Sequence, residues 1–148
     1  MKSQISTNDE KKTSLLDKLL VSIINLLVVL IPTAPFFWIG GWRWVLVGTF
    51  LIYQLIIALT KTGQSIGMRL LKIKWNKKYP LNNRLIFAIL YTASFATIAI
   101  WVFFPFDLLL FNLICIQLPT VLITGSTLHA YLAGKMYGIK EGRKKEAI

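Results

Sequence analysis

The chain has 148 residues, 55% of them hydrophobic and only 16% charged, with a net charge of +11 and a mean hydropathy of +0.62. A soluble domain carries roughly 25% charged residues, and one of this length leaves too much chain facing water to hide such an apolar load. A soluble fold is thereby excluded, and the expected class is an integral membrane protein.

In chain order, residues 1–14 form a polar tail. The first apolar run, Leu19 to Ile39, contains Pro32 and Pro35. Proline removes a backbone donor and clashes with the preceding turn. The helix therefore either continues to Ile39 or stops at Ile31, leaving 32–42 as a loop. Its basic start and apolar core, with no clean small-x-small cleavage site behind them, read as a retained signal anchor. Trp44 to Thr60, Leu85 to Phe104 and Phe106 to Gly125 follow, each close to the about 20 residues that a crossing needs. None alternates with period two, so all four are expected to be helices and not barrel strands. Pro119 is expected to kink the fourth. The single cysteine, Cys115, permits no internal disulfide. The expected fold class is all-α, a polytopic membrane protein with four transmembrane helices and a basic loop between the second and third. A membrane domain over 15–140 is flanked by a polar tail and a basic tail, 141–148.

Charge sets the orientation. Arg43 is the only basic residue between the first two runs, and none lies between the last two. The other sixteen fall in the N-terminal tail and first helix start, in the loop from Lys61 to Arg84, and in the C-terminal tail. Basic residues stay cytoplasmic in short loops, so both termini and that loop are expected inside, in a multi-pass protein of the cell membrane. Trp38, Trp42, Trp44 and Trp101 gather at the opposite ends of the runs, where amphipathic rings favour the headgroup level; Trp75 is expected to do the same on the inner side. Because topology accounts for the positive charge, and no nucleic-acid module is visible, no nucleic-acid partner is expected.

The loop TGQSIGMRLLKIKWNKK, Thr62 to Lys78, carries the densest motif. Its glycines, Gly63 and Gly67, are one residue too close for a phosphate-binding loop, and Met68 stands where that loop needs lysine. From Leu71 to Asn76, apolar and polar residues alternate. A segment lying flat at the interface would put Leu71, Ile73 and Trp75 into the acyl boundary. Lys72, Lys74, Lys77 and Lys78 would meet anionic lipid headgroups, each contributing about 1 kcal/mol. The plain reading is a topology anchor. The sharper one is that Gly63 and Gly67 allow the backbone to re-enter the bundle, with Gly134 and Gly138 packing against them.

These residues resemble the cytoplasmic loop of the RDD family of membrane proteins, which typically reads G-[KQ]-[ST]-x-G-x-[RK]-L before alternating apolar and basic residues. Gly63, Gln64, Ser65, Gly67, Arg69, Leu70, Ile73 and Lys74 match it. LHAYLAGKMYGI, Leu128 to Ile139, is similar to the family's closing H-D-x-L-A-G through His129, Leu132, Ala133 and Gly134. The naming arginine and aspartates are replaced. The R-x6-D spacing of the first helix falls on Lys18 and Asn25, and Ala130 follows the histidine. The resemblance implies a small four-span protein. Some members are linked to cation or proton exchange, a role that would lack its carboxylates here.

No charge lies near the centre of any run, so the spans hold only neutral polar groups. Asn25, Gln54, Asn112 and Gln117 are either interhelical glue, at about 0.6 kcal/mol each, or the lining of a polar path. His129, the only histidine, is a capping residue or a proton sensor. No carboxylate pair, metal-ligand cluster or nucleophile with a base is present, so neither an enzyme nor a cofactor is expected. Two functions remain: transport of a small solute or ion, by a homo-oligomer, and an accessory, regulatory or immunity role beside another membrane protein.

Overall fold

The computed structural model describes residues 11–140; most of the two expected tails lies outside them. The chain is mostly helical. Helix α1 spans Leu15–Thr33. It begins four residues before the apolar run, because Ser14 and Asp17 form a capping box in which each side chain accepts the other's amide, at 3.2 and 3.0 Å. Pro32 lies inside its last turn. The helix passes it by one residue, and the Thr33 hydroxyl donates to the carbonyls of Val29 and Leu30. A 3-10 turn, Ala34–Phe36, follows, so the end matches neither of the two expected stops. Helix α2 spans Trp42–Leu59 and a short α3 spans Ile66–Leu70.

The third long helix, α4, runs over Leu81–Ala96, with a 3-10 turn at Thr97–Ala99. It starts earlier than Leu85 and stops well short of Phe104. The cause is Asp107, whose carboxylate accepts the amides of Val102, Phe103 and Phe104 at 2.6 to 3.4 Å and of Leu108 at 2.8 Å. That grip winds the segment before it into a turn. The last long helix is built of α5, Asp107–Phe111, a π turn at Asn112–Gln117 and α6, Leu118–Thr124. Its irregularity is a widened turn just ahead of Pro119. Helix α7 spans Leu128–Leu132.

Leu15–Phe36, Trp42–Leu59 and Asp107–Thr124 are long and apolar enough to cross a membrane. Their outer faces carry large apolar groups bare of protein, with Ile123 84% exposed and, at the loops, Trp38 95% and Phe103 90%. Such a surface needs lipid to cover it, and the chain has the make-up of a membrane protein. The buried core at mid-bundle is Val29, Leu46 and Phe50, with the Phe50 ring stacked on Phe95 at 4.0 Å. At the aromatic end the Arg43 guanidinium lies 3.9 Å over the Trp101 ring.

The other end holds a small antiparallel sheet that the helical reading did not foresee. Strand β1 (Lys11–Lys12) pairs with β3 (Gly138–Lys140), which pairs with β2 (Ile73–Trp75). Lys11 lies opposite Lys140, and Lys74 opposite Ile139. The alternation read as a flat interfacial segment is therefore a strand. Its apolar side faces protein: Ile73 is buried, and the Trp75 ring meets Tyr79 and Phe87 edge-on. Lys11 and Lys12, read from the sequence as part of the polar tail, belong to this sheet.

Candidate functional site

Beneath this sheet, α1, α2, the glycine loop, α4 and α7 line a partly open cavity of about 100 Å³. Its polar organisation starts from Asn25, buried in α1. Asn25 Oδ1 accepts the Tyr53 hydroxyl at 3.0 Å and the Gly67 amide at 3.1 Å, and Nδ2 donates to Ser65 Oγ at 3.1 Å. Ser65 caps α3 by accepting the Met68 amide at 3.2 Å, and Tyr53 accepts the amide of Ile66 at 3.1 Å. One asparagine thus holds the start of α3 against α1 and α2. Gly67 makes this fit, for a Cβ there would lie 2.7 Å from the Val21 carbonyl oxygen. The loop re-enters the bundle, the sharper of the two expected readings. The glycines do not pack together, however. Gly63 faces Arg84 and Trp75, Gly134 faces Asn83, and Gly138 faces Ile73 and Thr13.

Residues of four distant segments meet here. Lys18, Asn25, Gln54, Gly63, Ser65 and His129 all line the cavity. Gln64 stands behind it, donating to the Ile73 carbonyl at 3.1 Å and so tying the loop to β2. Arg69 and Gly134 are exposed, away from the cavity. So are Lys72, Lys77 and Lys78, while Lys74 is half-buried in β2. Lys18 Nζ donates to the Thr13 carbonyl and hydroxyl at 2.8 and 3.1 Å.

The expected polar path is divided. Asn25 and Gln54 belong to the cavity, whereas Asn112 and Gln117 form a second cluster on Ser94. Asn112 Nδ2 donates to Ser94 Oγ at 2.6 Å, Gln117 Nε2 donates to it at 3.2 Å, and Gln117 Oε1 accepts the Leu128 amide at 3.1 Å. This second cluster joins α4 to the π turn and to α7. Its geometry is that of interhelical glue, and it has no part in the cavity wall.

Three buried side-chain nitrogens among the described residues lack a hydrogen-bond partner, Gln54 Nε2, Arg84 Nε and His129 Nδ1, and the first and last belong to cavity-lining residues. Gln54 is 2% exposed and its Nε2 has no hydrogen-bond partner; His129 is 8% exposed and its Nδ1 has none. The imidazole stacks on Tyr91 at 4.4 Å and its Nε2 lies 2.9 Å from the Thr127 hydroxyl. Burial pushes its pKa from 6.5 down to about 3, because a charged ring would lose its water there. The ring is therefore neutral through the physiological range.

Sequence reasoning missed Thr13, Tyr53 and Trp75 as members of this site. Tyr53 carried the one readable signal, a hydroxyl inside an apolar run with Asn25 on a neighbouring run. Among the described residues, no three His, Cys, Asp or Glu side chains gather where they could hold a metal ion. No family model, curated protein or solved structure matches the chain.

Proposed function

We propose that the chain is a divergent RDD-type protein of the cell membrane, with four spans and both termini cytoplasmic, that binds a small solute in the basic-end cavity and moves it across the bilayer. The observation carrying this is the cavity itself. Residues from both sequence motifs and from the Lys18 and Asn25 positions of α1 converge on one cavity, where two buried polar atoms lack partners. An unpaired buried polar group costs about 1–3 kcal/mol, and a bound molecule would recover that.

The sheet supports four crossings. Strands from before α1, between α2 and α4, and after α6 pair side by side, which requires an even number of passages between each. Helix α4, at 1.5 Å per residue, is about 24 Å long, and its 3-10 extension adds about 6 Å, together near the thickness of the hydrocarbon core. Its one charge, Arg84, sits in the first turn and donates to the Thr60 carbonyl. The exposed Lys72, Lys77 and Lys78 suit contact with anionic headgroups on that side. Val29, Leu46 and Phe50 form a buried apolar cluster in the bundle; in this reading it would separate the cavity from the far side.

The test is osmotic swelling of vesicles containing the purified chain, in a panel of small solutes, beside a variant whose cavity is filled by Ala130→Phe. Accelerated entry of one solute class, lost in the folded variant, is the expected result. Vesicles that admit every solute as slowly as protein-free ones would overturn the transport reading.

A further inference from the structure

We propose that the cavity selects a small organic anion, a monocarboxylate of two or three carbons. This rests on the reading that the cavity takes a solute, and adds the solute's chemical class.

Size comes first. A dry cavity of about 150 Å³ takes the six carbons of benzene, so about 100 Å³ suits four or five non-hydrogen atoms. The wall decides polarity. Val21, Ile57, Met68, Phe87 and Met136 make most of it apolar, which strips an inorganic ion of its water without replacing it but suits a short alkyl group.

The polar groups in the wall are rich in spare donors and poor in negative charge. Lys18 spends two of its three ammonium protons on Thr13. It makes no ion pair among the described residues, since the neighbouring carboxylate, Asp17, is taken by Lys140 at 2.7 Å. Gln54 Nε2 is an amide donor without an acceptor. In the tautomer whose Nε2 accepts the Thr127 hydroxyl proton, His129 Nδ1 carries hydrogen and is a third spare donor. No aspartate or glutamate lines the cavity. A cation entering here would share a low-dielectric space with the Lys18 ammonium group and find no carboxylate among the described residues of the wall. A carboxylate would neutralise Lys18 and bring two oxygens within reach of the Lys18 ammonium and the Gln54 amide, in charge-assisted hydrogen bonds.

The test is thermal unfolding of the purified full chain in detergent, titrated at constant ionic strength with acetate, propionate, propanol, propylammonium, chloride and octanoate. Saturable stabilisation by acetate and propionate alone is expected. Lys18→Met and Gln54→Leu should each weaken propionate binding about tenfold or more, while Lys18→Arg retains it. Gln54→Leu removes an unpaired donor at similar volume, so its ligand-free melting temperature should stay level or rise while its affinity falls, a split that mere loss of structure does not produce. Equal stabilisation by propanol or propylammonium, or by chloride alone, would overturn the anion class and leave solute binding standing. Stabilisation by octanoate without propionate would replace the free small acid with a lipid-derived one. If no probe shifts the melting curve, both the class and the solute-binding reading fall.

Discussion

Replacing Gly67 with alanine adds a single carbon at the tightest point of the loop. That carbon would lie 2.7 Å from the carbonyl oxygen of Val21, 3.1 Å from its Cα and 3.1 Å from Asn25 Oδ1. Two of the three are backbone atoms of α1, so no rotamer change relieves them. The start of α3 must lift away, and lifting it stretches the 3.1 Å bond from the Gly67 amide to Asn25. Overpacking a fixed wall costs about 1–3 kcal/mol, and a buried hydrogen bond lost adds about 1 kcal/mol, giving about 3 kcal/mol in all. For a chain of this size that is a fall in melting temperature of about 10 °C. Gly48 is the internal control. It lies within α2, and a Cβ there meets nothing within 4 Å, so Gly48→Ala should be neutral or stabilising by about 0.5–1 kcal/mol. Thermal unfolding followed by size-exclusion chromatography in detergent reads both variants side by side. Equal melting temperatures for the two would refute the claim that α3 is seated on the α1 backbone.

Acid should destabilise the protein through His129. With the native pKa near 3 and the unfolded value near 6.5, the unfolded chain binds a proton that the native chain refuses. The contribution is intact above about pH 6.5 and is lost progressively as the pH falls toward 3, about 2 kcal/mol at pH 5. Melting curves at pH 8 and pH 5 should show that loss in the parent and not in His129→Gln; the same slope in both would assign it elsewhere. Asn25→Asp should fold, because Ser65 Oγ, already accepting from Met68, has a proton of its own to donate to the second carboxylate oxygen. Its propionate affinity, read by the same titration, should nevertheless fall at least tenfold; unchanged affinity would remove Asn25 from the electrostatics of the cavity.

What the sequence disclosed and what it hid differ in kind. Hydropathy located the long apolar stretches because lipid exposure acts on every residue of a run, so the signal accumulates over about 20 positions. Helix ends depend on single atoms. Nothing in the composition of Leu85 to Phe104 shows that the Asp107 carboxylate collects amides from Val102 to Phe104 and ends α4 early. The strands, two or three residues each, are too short to declare a period. The one alternation that was visible, Leu71 to Asn76, suits an interfacial segment and a strand equally well. In the site, the motifs pointed to Asn25, Ser65, Gly67 and His129 one at a time. Their meeting with Tyr53 and Thr13 is a matter of which helix face turns inward, and an apolar face looks the same toward lipid as toward protein. That ambiguity also explains why Gln54 and Asn112 looked like steps on one path. Both are polar and both are buried, yet they serve different clusters.

Positions 18 and 25 connect the sequence pattern to the chemistry. Seven residues are two turns of α1, so both side chains lie on one face, about 10 Å apart along the axis, and both line the cavity. The R-x6-D pattern they resemble would place a cation and a carboxylate on that face, a nearly neutral pair to which a passing cation could add. Lys18 and Asn25 offer a positive member without a negative one. The asparagine cannot be replaced by just any neutral group, because its Oδ1 accepts Tyr53 and Gly67 while its Nδ2 donates to Ser65. It therefore seats the loop without bringing a negative charge. Lys140 holds Asp17 and no aspartate or glutamate lines the cavity, so a carboxylate introduced at position 25 changes the charge of the site while leaving its architecture in place.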